Sequence, residues 1–367
     1  MDSTTMNNRA PHQTVVVVRL LSIQGGYFAY LRALLPELQR GGHDVLLVVI
    51  TTKNLRPAIQ GLLPSIQVRF VDEPSFHNAY LQPCLFRLLQ SAHTRYILVN
   101  DLYESLFFFS YASLYRKTAL YVVVHSTLRD MPGSRKFTVA IIYTLHRLLQ
   151  SLVAMYISVS SYCAENLISA GIQHARIVVV PNGLPPVQVE RVLRSGRNNL
   201  SVGYVGRFSH EKGPDIFLKT AALCLDLPVT FTLFGTGPLG EQIREQVRDM
   251  SNCQIEPTLN DAGEIYSRLD VLIIPSRSEG QPYAVLEAFQ NNVLVIGSTA
   301  GGLPELLQGR GIMIEPNTPE RYRNALQHVL ENGQDVSVMK EAALTYMQRD
   351  GGAMRMGKAY LNLLKKS

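Results

Sequence analysis

The sequence predicts an α/β fold: two doubly wound, Rossmann-like parallel-sheet domains facing a cleft. Short apolar runs alternate with stretches of helical period along the 367 residues, as strand, helix, strand units of a parallel sheet do. The alternation breaks at a Pro-, Arg- and Asn-rich stretch and then restarts. A chain of this length also suits two domains, each able to bury its own core.

The elements follow in order. "TVVVVRLL" (14–21) is a buried strand, "YFAYLRALLPELQR" (27–40) a helix closed by "GGH", and "DVLLVVIT" (44–51) the next strand. "YILVN" (96–100), "LYVVVH" (120–125), "VAMYISVS" (153–160) and "RIVVVPN" (176–182) continue the first unit. The second unit begins with the strand "LSVGYVG" (200–206) and the helix "PDIFLKTAALCL" (214–225). "VTFTLFG" (229–235), "PLGEQIREQVRDM" (238–250), "DVLIIPS" (270–276) and "NVLVIGS" (292–298) follow. The division is then a first domain at 1–183, a linker at 184–199, a second domain at 200–352 and a final helix at 353–367. That helix is long enough to cross back to the first domain. Doubly wound units bind ligands at the carboxyl ends of their strands, so the cleft between the two is the expected site.

Composition excludes several classes. With 46% hydrophobic and 17% charged residues the chain is globular. No charge-free apolar run reaches about 18 residues, so no membrane span is expected. The nearest candidate, 137–160, is interrupted by His146 and Arg147 and reads as a buried helix followed by a strand. The polar start "MDSTTMNNRAPHQ" has no signal-peptide core. Cys84, Cys163, Cys224 and Cys253 lie far apart without a CxxC, which suits core thiols in a reducing, cytoplasmic setting. Residues 1–183 carry 16 Lys and Arg against 9 Asp and Glu, a net of +7, while 184–367 carry 19 against 20. The first half could therefore lean on something acidic, such as an anionic membrane surface, or simply carry a solvated basic face. No nucleic-acid motif and no cofactor site stand out.

Two constellations carry chemistry. In "GYVGRFSHEKGPD" (203–215), Arg207 and Lys212 flank a strand end, and Gly213-Pro214 opens a helix. Two cations beside a helix N-terminus suit phosphates, although two surface cations on a loop would look the same. In "SRSEGQPYAVLEAFQ" (276–290), a strand ends at Ser276 and Pro282 begins a helix. The N–H groups of Tyr283, Ala284, Val285 and Leu286 would point at the cleft. Glu279 sits in the loop and Glu287 about 7.5 Å along the helix at ~1.5 Å per residue. As a hydrolytic pair the glutamates fit poorly, because such carboxylates stand roughly 5–9.5 Å apart across one bond, whereas the eight positions between them would span about 12 Å if helical, and part is loop. A carboxylate beside phosphates is repelled unless it has another task, and accepting hydrogen bonds from a diol is one. Ordinary helix-start glutamates are the alternative.

Other positions point to the same cleft. Gly25 and Gly26 bring the backbone to a helix start, and His125 closes a strand at its carboxyl end. In "STAGGLPELL" (298–307), Gly301 and Gly302 give either a plain turn or another backbone approach. "GTGPLG" (235–240) spells a dinucleotide fingerprint with Glu256 about 20 residues on. It follows the unit's second strand, however, and holds Pro238 inside its turn. No DxD triplet, metal-spaced His/Cys/Asp cluster or GxSxG elbow occurs. A bound diphosphate would then be neutralised by Arg207, Lys212 and helix dipoles, with no dedicated metal.

These motifs, together with "VVVHST", "ISVSSYCAENLISAGI", "RIVVVPNGL" and "FGTGPL", resemble the retaining, nucleotide-sugar-dependent glycosyltransferases of family 4, which have the GT-B fold. The resemblance runs over nearly the whole chain. It implies that Arg207 and Lys212 bind the donor diphosphate and stabilise the leaving nucleotide. It implies that Glu279, with the main chain of Gly280, Gln281 and Pro282, holds the donor sugar. The amides of Tyr283–Leu286 would meet phosphate, Glu287 the ribose, Gly26 the donor phosphate or the acceptor, and His125 the sugar near its reacting face. The base would lie near 256–260. The implied partners are a nucleotide-diphosphate-sugar and a glycan or lipid-linked acceptor in surface polysaccharide synthesis, with lipopolysaccharide, exopolysaccharide and capsule as examples. Gln281-Pro282 stands where the family often has Phe-Gly, so sugar choice is expected to be tuned there. Transfer to a soluble small molecule, a nicotinamide-dependent oxidoreductase using "GTGPLG", and a catalytically silent partner protein are the other readings.

Overall fold

The computed structural model describes residues 12–20, 26–72, 87, 89–90, 94–115, 117–127, 136–186, 199–256 and 262–365. Gly25, Cys84, residues 257–260 of the expected base loop and residues 187–198 of the expected linker lie outside the described residues.

Two parallel sheets organise the chain. The first contains β1 (His12–Arg19), β2 (His43–Thr51), β3 (Gln67–Asp72), β4 (Thr94–Asn100), β5 (Ala119–Val124), β6 (Met155–Ser158) and β7 (Ile177–Val179). Its order is β3-β2-β1-β4-β5-β6-β7. The second contains β8 (Leu200–Val205), β9 (Val229–Phe234), β10 (Cys253–Glu256), β11 (Val271–Ile274), β12 (Leu294–Ser298) and β13 (Ile312–Ile314). Its order is β10-β9-β8-β11-β12-β13. Val15–Val18 and Val45–Ile50 are buried, as strands with both faces covered must be. The reversal of strand order falls between β1 and β4 in one sheet and between β8 and β11 in the other. That is where a doubly wound sheet opens a crevice at its carboxyl edge. Both units are Rossmann-like.

Sequence signals explain the local stops. The Gly26–Arg40 helix ends at Gly41-Gly42, with Gly42 at φ 84° and its N–H donating to the Gln39 carbonyl. The Ser161–Ser169 helix is capped by the Ser160 hydroxyl, which accepts from the Cys163 N–H. One expectation needs correction. The Lys136–Leu149 helix is buried only along Val139, Ile142, Tyr143 and His146, and Phe137, Ile141 and Leu148 face outward. It packs on one side, against the short helical segments at 102–108 and 150–152, so only one stripe of it is buried.

The two units share apolar packing. One cluster of buried residues runs from Val16 and Leu34 through Tyr283, Val285 and Phe289 to Met356, Tyr360 and Leu364. The Ala353–Lys365 helix lies against the Gly26–Arg40 helix, where the Tyr30 hydroxyl donates to that of Tyr360 at 3.1 Å. The Tyr121 hydroxyl donates to the Leu363 carbonyl at 3.1 Å. Just before this helix, Leu184 and Gly352 pair as a bridge. Gly183 is required beside it, since a Cβ there would stand 2.5 Å from the Gly352 carbonyl oxygen. Among the described residues no helix is long and apolar enough to cross a membrane.

Candidate active site

The two loops that carry the cations and the glutamates are locked together at the carboxyl edge of β8 and β11. Arg277 makes a two-pronged ion pair with Asp215, at 2.8 and 2.7 Å, and donates to the His210 carbonyl at 2.7 Å. Gly213, at φ 68°, could not be replaced without strain, because a Cβ would stand 2.2 Å from the Pro275 carbonyl oxygen. This close approach brings Lys212 to Glu279, Nζ to Oε2, at 2.8 Å. The second oxygen of Glu279 accepts from the Ser276 hydroxyl at 2.7 Å. Glu279 is buried, whereas Arg207 is exposed at the mouth. Among the described residues the Arg207 side chain has no hydrogen bond or ion pair.

The Tyr283–Gln290 helix starts directly behind this pair, with Pro282 as N-cap. Of the four amides expected to face the cleft, Val285 N–H already donates to the Pro282 carbonyl at 3.2 Å. Leu286 is the first residue whose amide can bond within the helix, so the outward donors narrow to Tyr283 and Ala284. Glu287 lies one turn further on and accepts from the Tyr266 hydroxyl at 2.9 Å. Burial pushes its carboxyl pKa up, while the Tyr266 bond and the charge of Arg32 pull it down. Arg32 belongs to the Gly26–Arg40 helix, so Glu287 feels a cation from the opposite unit.

The first unit supplies the other wall. His125 follows β5, and its Nε2 lies 2.9 Å from Asn100 Oδ1 at the end of β4. Asn100 is itself fixed by donation to the Val17 carbonyl at 2.9 Å. The His125 ring meets Tyr27 and Tyr30 edge-on at 4.8 and 4.6 Å. Burial pushes its pKa down to about 3, so the ring is neutral near pH 7. The Tyr27 hydroxyl donates to Asp101, a non-glycine residue at φ 97°. A residue held in that region at a cleft edge marks stored strain.

The two walls touch. A Cβ on Gly280 would stand 1.8 Å from the His125 carbonyl oxygen, so only glycine permits this approach. A Cβ on Gly26, at the start of its helix, would stand 3.5 Å from the Tyr283 ring, an ordinary contact. Gln281 behaves differently from the expectation of sugar tuning. Its side-chain oxygen accepts from the Asn182 N–H, and Asn182 Nδ2 donates to its carbonyl at 3.0 Å. It is a strut between the units, and Pro282 is the helix cap. A second strut is Glu305, whose carboxylate accepts the Ser161 and Tyr162 amides at 3.0 and 2.9 Å. Gly301 and Gly302 let their loop pass against the Glu279 and Gly280 backbone, so their close approach is to the protein itself.

The "GTGPLG" turn is accounted for similarly. A Cβ on Gly235 would meet the Gly206 carbonyl oxygen at 1.9 Å, and one on Gly237 would meet that of Phe208 at 2.5 Å. These glycines admit the 206–208 loop. Beside them a cavity of about 610 Å³ is lined by Gly235, Thr236, Arg244, Ile255 and Glu256. Among the described residues no group of three or more His, Cys, Asp or Glu is placed to hold a metal ion.

Tyr266, Asn100, Arg277, Asn182 and Glu305 escaped sequence reasoning. Asn100 alone left a readable mark, as the polar last residue of an apolar strand. The others act across 21 to 144 positions of chain.

Comparison with known proteins bears on the family and the fold. Residues 24–188 match the model described as Glycosyltransferase Family 4, and residues 199–332 match Glycosyl transferases group 1. The chain is 28% identical over 177 residues to the Escherichia coli UDP-Gal:alpha-D-GlcNAc-diphosphoundecaprenol alpha-1,3-galactosyltransferase, covering 43% of this chain and 46% of that one. It is 27% identical over 164 residues to the Escherichia coli O-antigen biosynthesis glycosyltransferase WbnH, covering 44% and 46%. The match thus spans under half the length of these relatives. The structure of Anabaena Alr3699/HepE with UDP-glucose superposes with a TM-score of 0.82 at 18% identity, over 97% of this chain and 100% of that one. The lipopolysaccharide outer core galactosyltransferase WaaB gives 0.73 at 14%, over 97% and 99%. With family models matching both halves and the fold shared end to end, the chain belongs to the family 4 type of GT-B glycosyltransferases.

Proposed function

We propose that the chain is a retaining, metal-independent glycosyltransferase. It moves a sugar from a nucleotide-diphosphate-sugar to a hydroxyl of a glycan or lipid-linked acceptor, on the cytoplasmic side, in the building of a surface polysaccharide. One observation carries the reading: Lys212 and Glu279 meet at 2.8 Å beside the start of the Tyr283–Gln290 helix, with His125 directly across the cleft. A cation, a buried hydrogen-bond acceptor and outward amides within one mouth suit a diphosphate with a sugar attached. The names of the two Escherichia coli relatives, one for UDP-Gal and a diphosphoundecaprenol acceptor and one for O-antigen synthesis, favour this donor and acceptor class.

The roles follow from position. Arg207 and Lys212 take the diphosphate, joined by the Tyr283 and Ala284 amides and by Gly26. Glu279 turns from Lys212 to the sugar hydroxyls, with the Gly280–Pro282 main chain beside it. Glu287 takes the ribose, oriented by Tyr266. The base occupies the cavity beside Thr236 and Ile255. His125, neutral, faces the sugar. The acceptor oxygen bonds to the anomeric carbon on the face the nucleotide leaves. The carbon–phosphate oxygen bond breaks, and a diphosphate oxygen receives the acceptor's proton. The protein contributes positioning and charge stabilisation.

The test is thermal stabilisation by a panel of nucleotide-sugars. A donor at about one hundred times its Kd stabilises the native state by ~2.7 kcal/mol. A panel in which no nucleotide-sugar raises the melting temperature, or in which only NAD does, rules the proposal out.

A further inference from the structure

Two side chains meet at the carboxyl ends of β4 and β5. Asn100 is the last residue of β4 and stands opposite Val123 of β5. His125 lies two residues beyond Val123, so the Asn100 and His125 side chains leave the same face of the sheet. Asn100 is buried, and its amide is held at both ends. Nδ2 donates to the Val17 carbonyl at 2.9 Å, and Oδ1 lies 2.9 Å from His125 Nε2.

These two contacts fix a proton. The Val17 carbonyl can only accept, so the Asn100 amide cannot be turned the other way round. Its oxygen therefore faces the ring. An oxygen at that distance from Nε2 requires a hydrogen on Nε2, because two lone pairs would repel. A half-turn of the ring would bring Cε1 opposite Oδ1 and lose the bond. Edge-on contacts with Tyr27 and Tyr30 at 4.8 and 4.6 Å pack the ring in place.

The second ring nitrogen is left bare. A charged ring would carry a further proton on Nδ1, but burial opposes that charge and pushes the His125 pKa down to about 3. The single proton present near pH 7 sits on Nε2, and Nδ1 is an acceptor that cannot donate. Among the described residues Nδ1 has no hydrogen-bond partner. It is the ring nitrogen nearer the main chain, and the His125 main chain is what meets Gly280, the neighbour of Glu279. The unsatisfied acceptor thus lies on the side of the ring towards the proposed sugar subsite.

We propose that Asn100 is a positioning residue that fixes His125 as the Nε2–H tautomer, so that Nδ1 selects a donor sugar offering a hydroxyl hydrogen at this point. A sugar that is deoxy there, or bears an ionised carboxylate there, has no hydrogen to give and leaves Nδ1 unpaired. A site built to bond a substrate hydroxyl rejects such analogues. The choice of sugar rests on the transferase reading, whereas the tautomer belongs to the ligand-free chain, so either can fail while the other stands.

The experiment has two arms. Long-range proton–nitrogen correlation spectra of the full chain, isotopically labelled at histidine, read the tautomer near pH 7, with His125→Ala identifying the signals. His125 is expected to carry a proton on Nε2 and none on Nδ1, and in Asn100→Ala its two nitrogens should move towards an averaged value. The second arm measures kcat/KM for the nucleotide-sugar that the thermal panel selects and for its monodeoxy sugar forms. One deoxy form should be transferred ~10-fold or more poorly by the wild type, yet within about threefold of the parent donor by His125→Ala. Asn100→Ala should lower transfer of the parent donor ~10-fold, and adding it to His125→Ala should cost nothing further. Retained melting temperature shows that the variants are folded. A wild-type ring with its proton on Nδ1, or with protons on both nitrogens, overturns the proposal. So do deoxy losses that are the same with and without the His125 ring, or an Asn100→Ala loss that adds in full to that of His125→Ala. A panel in which no nucleotide-sugar binds defeats the transferase reading instead, and the spectra still decide what Asn100 does.

Discussion

Gly280 is where the two units press on each other, and Gly280→Ala perturbs that contact by one methyl group. A Cβ there would stand 1.8 Å from the His125 carbonyl oxygen, whereas ordinary contact begins at about 3.4 Å. The walls must therefore part by about 1.6 Å at this point. The opposing atom belongs to the backbone, so no rotamer change relieves the clash, and Gly302 backs the loop from behind. A misplacement of ~1 Å in a positioned site costs ~100-fold in rate. Overpacking of this kind costs ~1–3 kcal/mol in stability, too little to unfold a chain of this size. The expected result is a kcat/KM for nucleotide release with acceptor that falls about 100-fold, with far-ultraviolet circular dichroism unchanged. Transfer within about threefold of the wild type would refute the reasoning that the His125–Gly280 contact sets the geometry of the sugar subsite.

Other substitutions probe the remaining parts. Tyr266→Phe removes the 2.9 Å hydrogen bond to Glu287 and should raise the donor KM about 5–15-fold with little change in kcat, because a hydrogen bond to a charged group contributes ~1.5 kcal/mol or more. Glu305→Ala strips two amides of their acceptor across the cleft and should lower stability by ~1 kcal/mol, read as a lower denaturation midpoint. His146 is buried against Ser105, Tyr156 and the Leu102 carbonyl, and burial pushes its pKa down to about 4. Its folded pKa lies below the unfolded value near 6.5, so the stabilisation is present above that pH and is lost as pH falls towards 4. Relative to the wild type, His146→Asn should flatten the loss of unfolding free energy by ~1.4 kcal/mol per pH unit between pH 6.5 and 4, and parallel curves would contradict it.

Much of the fold was legible because parallel strands buried on both faces are valine-rich runs such as Val15–Val18 and Val45–Ile50. Shorter strands gave no such run. β3 alternates as "QVRFVD", β10 is the half-polar "CQIE" and β13 only "IMI", so hydrophobic pattern did not separate them from loops. At the site, Arg207, Lys212, Glu279 and Glu287 were legible as charges at strand ends and helix starts. Their partners were not. The Tyr266–Glu287 and Asn182–Gln281 contacts exist only because the sheets fold and the units close, and local sequence records neither event. Gln281 shows the cost of reading position alone. It stands in the loop before the Tyr283–Gln290 helix, yet its side chain is turned to the opposite unit. The exposed stripe of the Lys136–Leu149 helix was hidden for a related reason, since apolar residues all round a helix look buried until one side has nothing to pack against.

The most direct test of the central claim is the rate of sugar transfer by wild type, Arg207→Ala, Lys212→Ala and Glu287→Ala with the donor that the thermal panel selects. The account predicts a product that keeps the donor's anomeric configuration and a loss of most transfer in each variant, with melting temperatures near the wild type. Wild-type rates in all three variants, or an inverted product, would contradict it.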